Sequence, residues 1–379
     1  MRWVNRLAAV TLLLVLPWLA ETTTGWASPR RSALAAWLAG CQGPQGGLRN
    51  RPDTPAVIPY FANQIGLALL ETPEGPLRVR AYLSWYLARL NPRDRYGLSG
   101  TIYDYQPDVV GPPGYDSADA YAATFLSLVR AYVERTGDWG WVRRNEPGLA
   151  AVGNLLLSLQ DPDGLFRTGG PSAHRFLMDN AEDYRGLEDW AWLLDGLGRR
   201  AGPARQAQLQ TQAAQVRLRE RLLAVAVGEI LWDSVSTSYR WASPPWPPSA
   251  EPAAAHHPDW SRWYPDTVAQ VFPAMYGLPQ PPGRARQAYK RIAAAFPGWT
   301  EGRTGNGFPW LILGLAAWQQ GDQAAVHSLL GYVVRAFPTG TGWSAPVWRG
   351  HEAAAELRLR AAVEAPAWST AWRFLDGSY

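Results

Sequence analysis

Cysteine and lysine are almost absent from this sequence of 379 residues. Cys41 is the only cysteine, so no disulfide can form within the chain. Lys290 is the only lysine, and the other basic residues are arginines scattered among acidic residues rather than gathered in runs. The 36 basic and 32 acidic residues give a net charge of +4, but this scatter argues against a nucleic-acid-binding surface.

Several motifs of well-known chemistry are also missing. The sequence contains no G-x-S-x-G elbow, no phosphate-binding loop and no dinucleotide fingerprint, which argues against acyl transfer and nucleotide chemistry. The adjacent His256 and His257 lie in a proline-containing loop without a third well-placed ligand. We therefore expect neither a metal site nor a cofactor.

Strand signals are sparse, whereas helical patterns recur along the chain. Short strands are predicted only near residues 101–105, 229–239 and 357–363, as ribbons within loops. Six times, a loop rich in aromatic and turn residues leads into an apolar stretch with helical spacing. These starts lie at residues 55–64, 115–121, 178–184, 264–270, 305–310 and 365–372.

Between these starts lie six further helical stretches, at residues 32–40, 77–90, 147–160, 203–227, 284–296 and 323–337. The alternation predicts twelve helices in six antiparallel pairs. The expected fold is all-α: an (α/α)6 barrel, or toroid, of six helical hairpins. We expect it to form a single domain over residues 28–379, with a Pro- and Trp-rich insertion near residues 240–262.

The N-terminal segment is typical of a bacterial export signal. Arg2 and Arg6 precede an apolar stretch, residues 7–16, that is too short to span a bilayer. Small residues near position 27 offer a cleavage point, so residues 1–27 are predicted to be a signal peptide. The expected location is periplasmic, envelope-associated or extracellular. The alternative is an uncleaved N-terminal segment, which would be the monomer's contact with a membrane.

Residues 38–41 resemble a lipoprotein box, but we interpret Cys41 as part of a turn after the first helix.

Aromatic residues are abundant, with 21 Trp and 16 Tyr. Rings in this excess suit a cleft that stacks on sugars, although part of them are expected to fill space between helix pairs. The candidate ligand-contacting residues lie near the helix starts and include two carboxylates. They are Tyr60, Asp104, Tyr115, Tyr184, Trp190, Trp263, Tyr264, Asp266, Trp310 and Trp368.

Paired carboxylates begin two consecutive inner helices. Asp116 and Asp119 are three residues apart at the second start, and Asp179 and Glu182 repeat this spacing at the third. Such acids also serve as helix caps, which is the alternative interpretation. All inner helices of a toroid begin at one face, so these carboxylates can converge on one cleft. Cleavage of a glycosidic bond needs two carboxyl groups, one protonated and one ionised.

We expect Asp179 or Glu182 to donate the proton and Asp116 or Asp119 to act as base or nucleophile. Glu352, beside His351, is a weaker candidate because an acid at a helix start is usually a cap.

These features resemble the six-hairpin glycosidase superfamily of toroids. Residues 116–123, Asp-Ser-Ala-Asp-Ala-Tyr-Ala-Ala, are similar to the Asp-rich helix start of family-eight endoglucanases, which implies a catalytic or sugar-binding role for Asp116 and Asp119. Residues 368–371, Trp-Ser-Thr-Ala, are similar to the opening of the last inner helix in several such enzymes. The first inner helix, residues 60–66, departs from the family-eight pattern because it lacks a carboxylate.

The predicted function is hydrolysis of a polysaccharide or oligosaccharide by carboxylate general acid/base catalysis. One alternative is a noncatalytic glycan-binding envelope protein. Another is a polysaccharide lyase, in which Arg175, Arg185 and Arg262 would neutralise a uronate.

Overall fold

The structure is a computed structural model that describes residues 28–108, 111–170, 172–246 and 256–364. Its main elements are helices, with two small two-stranded ribbons. The helices are α1 (Pro29–Gly40), α2 (Pro59–Leu69), α3 (Gly75–Leu87), α4 (Ala118–Thr136), α5 (Trp139–Arg144), α6 (Glu146–Ser158), α7 (Leu177–Gly198), α8 (Pro203–Ala226), α9 (Phe272–Met275), α10 (Arg284–Ala295), α11 (Ile312–Gln319), α12 (Gln323–Ala336) and α13 (Gly350–Glu364).

Six helical segments form a closed inner ring. In order they are α2, α4, α7, an irregular fourth segment, α11 and α13, and α13 packs against α2 to close the ring. The fourth segment joins a π-helical turn (Trp263–Thr267), a 3₁₀ turn (Val268–Val271) and α9. Helices α1, α3, α6, α8, α10 and α12 lie outside the ring. This arrangement is the predicted (α/α)6 barrel of six hairpins.

The inner helices are buried on nearly every side because each packs against two ring neighbours and an outer helix. Residues 118–133 of α4 are all buried. Close approach of α4 and α7 depends on Gly186, where an added Cβ would lie 2.5 Å from the Cα of Ala123. A larger residue at this contact would force the two helices apart, at a typical cost of about 1–3 kcal/mol.

A buried ion pair fastens the chain's first described helix to its last. The Arg30 Nε donates to Glu356 Oε1 at 2.6 Å, and Nη2 donates to Oε2 at 2.9 Å. Arg360 also donates to Glu356, at 2.8 Å. Because the pair joins α1 to α13 across most of the sequence, it stabilises the closed ring rather than a single hairpin.

Two of the three strand predictions match short ribbons or bridges. Strand β2 (Trp232–Asp233) pairs with β3 (Ser238–Tyr239), within the predicted segment 229–239. Isolated bridges involve Thr101 and Tyr105. The prediction for residues 357–363 was wrong, because this segment belongs to α13. Its alternating Leu and Arg residues imitate a strand, but an inner helix is buried around its circumference and shows no single apolar face.

The sixth inner helix begins earlier than the sequence pattern indicated. It is α13, which starts at Gly350, whereas the predicted start at residues 365–372 lies outside the described residues, as does Trp368. The six outer helices lie within or close to their predicted segments.

The insertion near residues 240–262 extends the wall beside α7. Its strand β4 (Ala242–Ser243) pairs antiparallel with β1 (Arg175–Phe176), which leads directly into α7. In the part of the chain that the structure describes, no helix combines the length and apolar character needed to cross a membrane.

Candidate active site

A cleft of about 450 Å³ opens at the face of the ring where the inner helices begin. All six inner segments contribute to its lining. Residues from their first turns and preceding loops include Tyr60, Asp104, Asp116, Ser117, Tyr121, Asp179, Tyr264, Trp310, Arg349 and Glu352. Gln64 and Arg358 line the cleft from deeper turns of α2 and α13. This geometry matches the prediction that the starts of the inner helices share one mouth.

One wall of the cleft carries linked carboxyl groups from α4 and α7. The Ser117 Oγ lies 2.5 Å from Asp119 Oδ1 and 2.7 Å from Asp179 Oδ2. Asp179 and the exposed Asp116 line the cleft, whereas Asp119 is completely buried behind them. Burial raises the pKa of Asp179 well above its usual value, and repulsion from Asp119 and Glu182 adds to this effect. Burial likewise raises the pKa of Asp119 to about 6.

Asp183 lies deeper in this wall, next to Asp119. It is completely buried, and neither carboxyl oxygen accepts a hydrogen bond from an N–H or alcohol donor among the described residues. The Asp119 carboxyl is close enough to share a hydrogen bond with it. Burial, followed by repulsion from Asp119 and Asp179, holds the pKa of Asp183 well above its usual range. A buried carboxylate without a cation is very costly, so this group is protonated.

Glu182 lies below the cleft and is held by two phenols. Tyr60 donates to its Oε1 at 2.6 Å, and Tyr276 donates to the same oxygen at 2.8 Å. Burial raises the pKa of Glu182 to about 8, although the two phenol donors favour the ionised form. Of the two predicted proton donors, Asp179 therefore lines the cleft, while Glu182 is covered by Tyr60.

A separate carboxylate, Asp104, lies near the rim. Its Oδ1 accepts a hydrogen bond from the Tyr121 hydroxyl at 2.9 Å. Desolvation raises the pKa of Asp104 to about 6, against the opposing effect of this hydrogen bond.

The opposite wall is formed by α13 and the loop before α11. The Glu352 oxygens accept the backbone N–H groups of Trp310, at 3.2 Å, and Leu311, at 2.9 Å. Burial nevertheless raises the pKa of Glu352 to about 7. Trp310 has a positive φ of 54°, and its ring lies 5.1 Å from that of Tyr264. These two rings form an aromatic platform beside the cleft, as sugar-binding sites often have.

His351 is partly buried and stacks on Phe61 with a centroid separation of 4.3 Å. Burial and the neighbouring Arg349 lower its pKa to about 3, so His351 is neutral at ordinary pH. It therefore shapes this wall of the cleft without adding charge.

Five of the predicted sugar-contacting residues do not line the cleft. Tyr115 donates to Asp94 at 2.7 Å, behind the acidic wall. Trp263 packs its edge against Phe296, and Asp266 is bound by Arg262 at 2.8 Å. These contacts stabilise the loops around the cleft.

The other two residues of this group lie on the outer side of α7. Trp190 packs where α7 meets α6, so that a Cβ on Gly153 would lie 2.4 Å from its indole nitrogen. Tyr184 interacts with Glu220 of α8. By contrast, Tyr60, Asp104, Tyr264 and Trp310 do line the cleft. The catalytic and binding roles of the whole predicted set remain predictions.

Sequence reasoning missed several residues of the site. Ser117 and Asp183 were overlooked, although Asp183 lies beside the singled-out Glu182. Arg349 and Arg358 were not considered, because α13 was placed too late in the chain. A rule that the residue before every inner helix lines the cleft would have found Arg349, whereas Glu352 was named in the sequence as a weaker candidate. Among the described residues, no cluster of three His, Cys, Asp or Glu side chains has the geometry of a metal site.

Comparisons with known proteins give fold-level similarity. No protein-family model matches the sequence, and no curated protein matches it. A rhamnosidase from Klebsiella oxytoca with rhamnose bound is similar in structure, with a TM-score of 0.58 and 14% identity. The match covers 89% of this chain but 64% of the rhamnosidase, so the chain spans less than two thirds of that protein.

Two further solved structures match over nearly their full length. The GH63 mannosylglycerate hydrolase from Thermus thermophilus, in complex with glucose, has a TM-score of 0.56 at 14% identity, covering 88% of this chain and 99% of that one. A glycosidase variant in complex with glucose has a TM-score of 0.57 at 14% identity, covering 90% and 100%. The chain therefore has the toroid fold of the six-hairpin glycosidases, while the closer resemblance to family-eight endoglucanases remains a prediction.

Proposed function

We propose that this protein is a glycoside hydrolase that cleaves a polysaccharide or oligosaccharide by carboxylate general acid/base catalysis. Support comes from an open cleft lined by carboxylates and aromatic rings in a toroid fold shared with glycosidases. The observation that carries the proposal is the Ser117 hydroxyl, which lies between the Asp119 and Asp179 carboxyls.

The Ser117 bridge requires a proton on one of these two carboxyls. A serine hydroxyl has one hydrogen and can donate it to one acceptor. Both carboxyl oxygens lie within short hydrogen-bond distance of Oγ, at 2.5 and 2.7 Å. One carboxyl must therefore be protonated and donate to Oγ, while the other accepts the serine hydrogen. A carboxyl held in its acid form at neutral pH is what a general acid needs.

Asp179 is the member of this pair that reaches the substrate. It lines the cleft, whereas Asp119 has no exposed surface. We assign the proton donor to Asp179, which would protonate the glycosidic oxygen of the leaving group. Asp119, Asp183 and Ser117 then act as positioning residues. Repulsion from Asp119 helps to keep Asp179 in its acid form, whereas the Ser117 hydrogen bond fixes the position of this carboxyl and favours its ionised form.

The base is best sought across the cleft from Asp179. In a closed ring of six, the third and sixth helices lie opposite each other, so α13 faces α7. Glu352 is the carboxylate with which α13 lines the cleft. We assign it as the base that activates water, and Asp116, on the same wall as Asp179, as the alternative base. A pKa of about 7 places Glu352 in its ionised form above neutrality.

The other two predicted functions receive less support. A lyase would need a cation near the scissile sugar, but the predicted Arg175, Arg185 and Arg262 are bound to Asp163, Asp189 and Asp266. A noncatalytic glycan-binding protein would use the same aromatic cleft without turnover. A measurement of hydrolytic activity distinguishes it from a hydrolase.

The decisive test is a screen of the purified protein on a glycan panel, followed by Asp179→Asn and Glu352→Gln. Loss of the general acid is expected to lower kcat by about 10²–10⁴-fold, and the base variant by a similar factor. Glu74→Gln is the matched control, because the Glu74 carboxylate is 79% exposed and lies just before outer helix α3. Wild-type rates in both cleft variants would refute the assignment. Sugar binding without released reducing ends would select the noncatalytic alternative, and an unsaturated product would select the lyase.

Export of the protein remains part of this proposal. The predicted signal, residues 1–27, lies outside the described residues. N-terminal sequencing of the mature protein from cell fractions would test it, with a start near residue 28 as the expected result.

A further inference from the structure

Two arginines of the cleft stand apart from the buried arginines elsewhere in the protein. Arg30, Arg130 and Arg175 each contact a carboxylate, at 2.6, 2.8 and 2.5 Å respectively. Arg349 and Arg358 line the cleft, and no carboxylate of the described residues lies within salt-bridge distance of either. Since a desolvated cation is costly without an anion, these two guanidinium groups are suited to a charged ligand.

Arg358 lies at the floor of the cleft. It donates one hydrogen bond, to Gln64 Oε1 at 3.3 Å, which leaves most of its five N–H donors for other partners. Arg358 and Gln64 also line a second cavity of about 50 Å³, so both residues lie between the cleft and this smaller cavity. Burial lowers the pKa of Arg358 against the attraction of Tyr276 and of the Glu71 carboxyl, which lies beyond salt-bridge distance, and a guanidinium stays protonated in proteins.

Arg349 lies at the rim, where its charge is less isolated. Its Nε is 3.5 Å from the Pro346 carbonyl oxygen, and its guanidinium lies 4.9 Å from the centre of the Phe308 ring. Both arginines are partly exposed to solvent. Because Arg358 lies more than two turns into α13, deeper in the ring than Arg349, it has more to gain from a bound anion.

The cations of the cleft lie on one side. Both arginines belong to α13 or the residue before it, a side that also carries Glu352, whereas Asp104, Asp116 and Asp179 line the cleft from the side of α4 and α7. A ligand with one anionic group would therefore be attracted to the arginines of the α13 side and oriented by them.

We propose that the substrate carries a carboxylate, which Arg358 binds at the floor of the cleft together with Gln64. The inference rests on the proposed glycoside hydrolysis and names its substrate class. A planar guanidinium can bind a carboxylate through two parallel hydrogen bonds, which gives both affinity and orientation. The carboxylate belongs either to the sugar ring, as in a uronic acid, or to a hydroxy acid attached to the sugar.

Binding equilibria of small probes separate these two sources. Isothermal titration calorimetry on the wild-type protein would compare the affinity for glucuronate with that for glucose, and the affinity for glycerate with that for glycerol. We expect at least one acid to bind about 10- to 100-fold more tightly than its neutral counterpart, as is typical for hydrogen bonds between charged groups. Preference for glucuronate identifies a uronic acid, and preference for glycerate identifies an attached hydroxy acid.

Variants of Arg358 test the assignment to this residue. Arg358→Gln is expected to abolish the preference for the acid, and Arg358→Lys to retain only part of it because the two-pronged donor is lost. Arg286→Gln, an exposed arginine on outer helix α10, is the matched control and is expected to bind as wild type. Circular dichroism establishes that each variant is folded, and if the Gln variant unfolds, the Lys variant provides the comparison.

Three results would overturn the proposal. Equal binding of acids and neutral analogues would show that the cleft does not select a carboxylate. Loss of the preference in Arg349→Gln but not in Arg358→Gln would place the anion at the rim. Chloride that stabilises the protein through Arg358, with no effect of glucuronate or glycerate, would show that this arginine holds an inorganic ion.

Hydrolysis is measured separately, so failures of the two proposals can be distinguished. Tight Arg358-dependent binding of an acid without hydrolysis of any glycoside would support this inference and contradict the proposed hydrolase. Equal hydrolysis of a glucoside and the matched glucuronide would support the hydrolase and contradict the inferred substrate class.

Discussion

Two parts of the toroid bury carboxyl groups completely, but with different partners. At the seam between α1 and α13, Glu356 accepts hydrogen bonds from Arg30 and Arg360. In the acidic wall of the cleft, Asp119 and Asp183 are equally buried, and neither is within salt-bridge distance of an arginine among the described residues. The first arrangement holds a charged pair, whereas the second favours protonated acids.

The same difference occurs within helix α7. Asp189, in its middle, is bound by Arg130 at 2.8 Å and by Arg185 at 3.2 Å. Asp179 and Asp183, in its first two turns, have carboxyl and hydroxyl neighbours instead. Burial is therefore a poor guide to the role of a carboxyl group, and its partner is a better one. Carboxyls without a cation are those that a fold tolerates for chemistry.

The prediction with the largest expected effect tests whether the buried carboxyl groups of the two regions differ in charge. Glu356→Gln leaves the buried Arg30 without an anion, and we expect it to lower the free energy of unfolding by about 3–5 kcal/mol. Asp183→Asn replaces one neutral group by another of similar shape and is expected to cost less than about 1 kcal/mol. Urea unfolding followed by circular dichroism would measure both. Equal losses would mean that Asp183 is also ionised, and the contrast between the regions would disappear.

The next prediction concerns the pH dependence of the free energy of unfolding. The folded-state pKa of Asp119 is raised from 3.8 to about 6, so its contribution to stability is present below 3.8 and is lost as the pH rises through 6. This change corresponds to at most about 3 kcal/mol. Glu352 and Glu182 act in the same direction, up to about pH 7 and 8 respectively. His351 acts in the opposite direction up to about pH 6.5, because its folded-state pKa is lowered to about 3. The free energy of unfolding is therefore expected to fall chiefly between pH 6.5 and 8.

Asp119→Asn is expected to remove the contribution of Asp119. The free energy of unfolding of the variant relative to wild type should therefore rise by up to about 3 kcal/mol between pH 4 and 6. Carboxylates with a lowered pKa, such as Asp53, and His351 act in the opposite sense, but equally in both proteins. Urea unfolding of wild type and variant at pH 4.5, 6 and 8 would measure this difference. The same pH dependence in both proteins would show that the pKa of Asp119 is not raised by folding.

The sequence was informative where signals are local. Aromatic and turn residues before apolar stretches predicted the ring and its outer helices, because each inner helix needs its own start signal. The acids Asp116 and Asp179 were found because a carboxylate in a first turn is visible in the sequence, whether it acts as a cap or as a catalyst. Their presence in one cleft follows from ring topology alone.

The sequence was uninformative where a role depends on a distant partner. Arg30 and Glu356 are 326 residues apart. No local pattern distinguishes this pair from residues such as Arg358, which has no salt-bridge partner among the described residues. Tyr184 was placed in the cleft because it neighbours Glu182 in sequence, yet residues two positions apart on a helix point to nearly opposite sides. Helical phase separates Tyr184 from Asp179, whereas Trp190 lies about three turns further along α7, away from the helix starts.

The smallest expected effect concerns the Ser117 bridge. The serine hydrogen bond favours the ionised form of Asp179, so Ser117→Ala is expected to raise the pKa of that carboxyl further. Because Asp179 would then stay protonated to higher pH, the alkaline limb of the pH–rate profile should move to higher pH. Loss of one hydrogen bond of about 1 kcal/mol corresponds to a shift of slightly less than one pH unit and a change in kcat of about fivefold to tenfold.

Ser117→Thr keeps the hydroxyl and is expected to restore the wild-type profile. A substrate-independent measurement is the infrared absorption of protonated carboxyl groups at neutral pH in D₂O, which should be present in the wild type and altered in Ser117→Ala. A purely structural role for Ser117 would lower activity evenly at every pH and leave the carboxyl band unchanged. In that case the proton on Asp179 would depend on burial alone, and the bridge between the two carboxyls would not be the feature that distinguishes the acidic wall from the ion pair at Glu356.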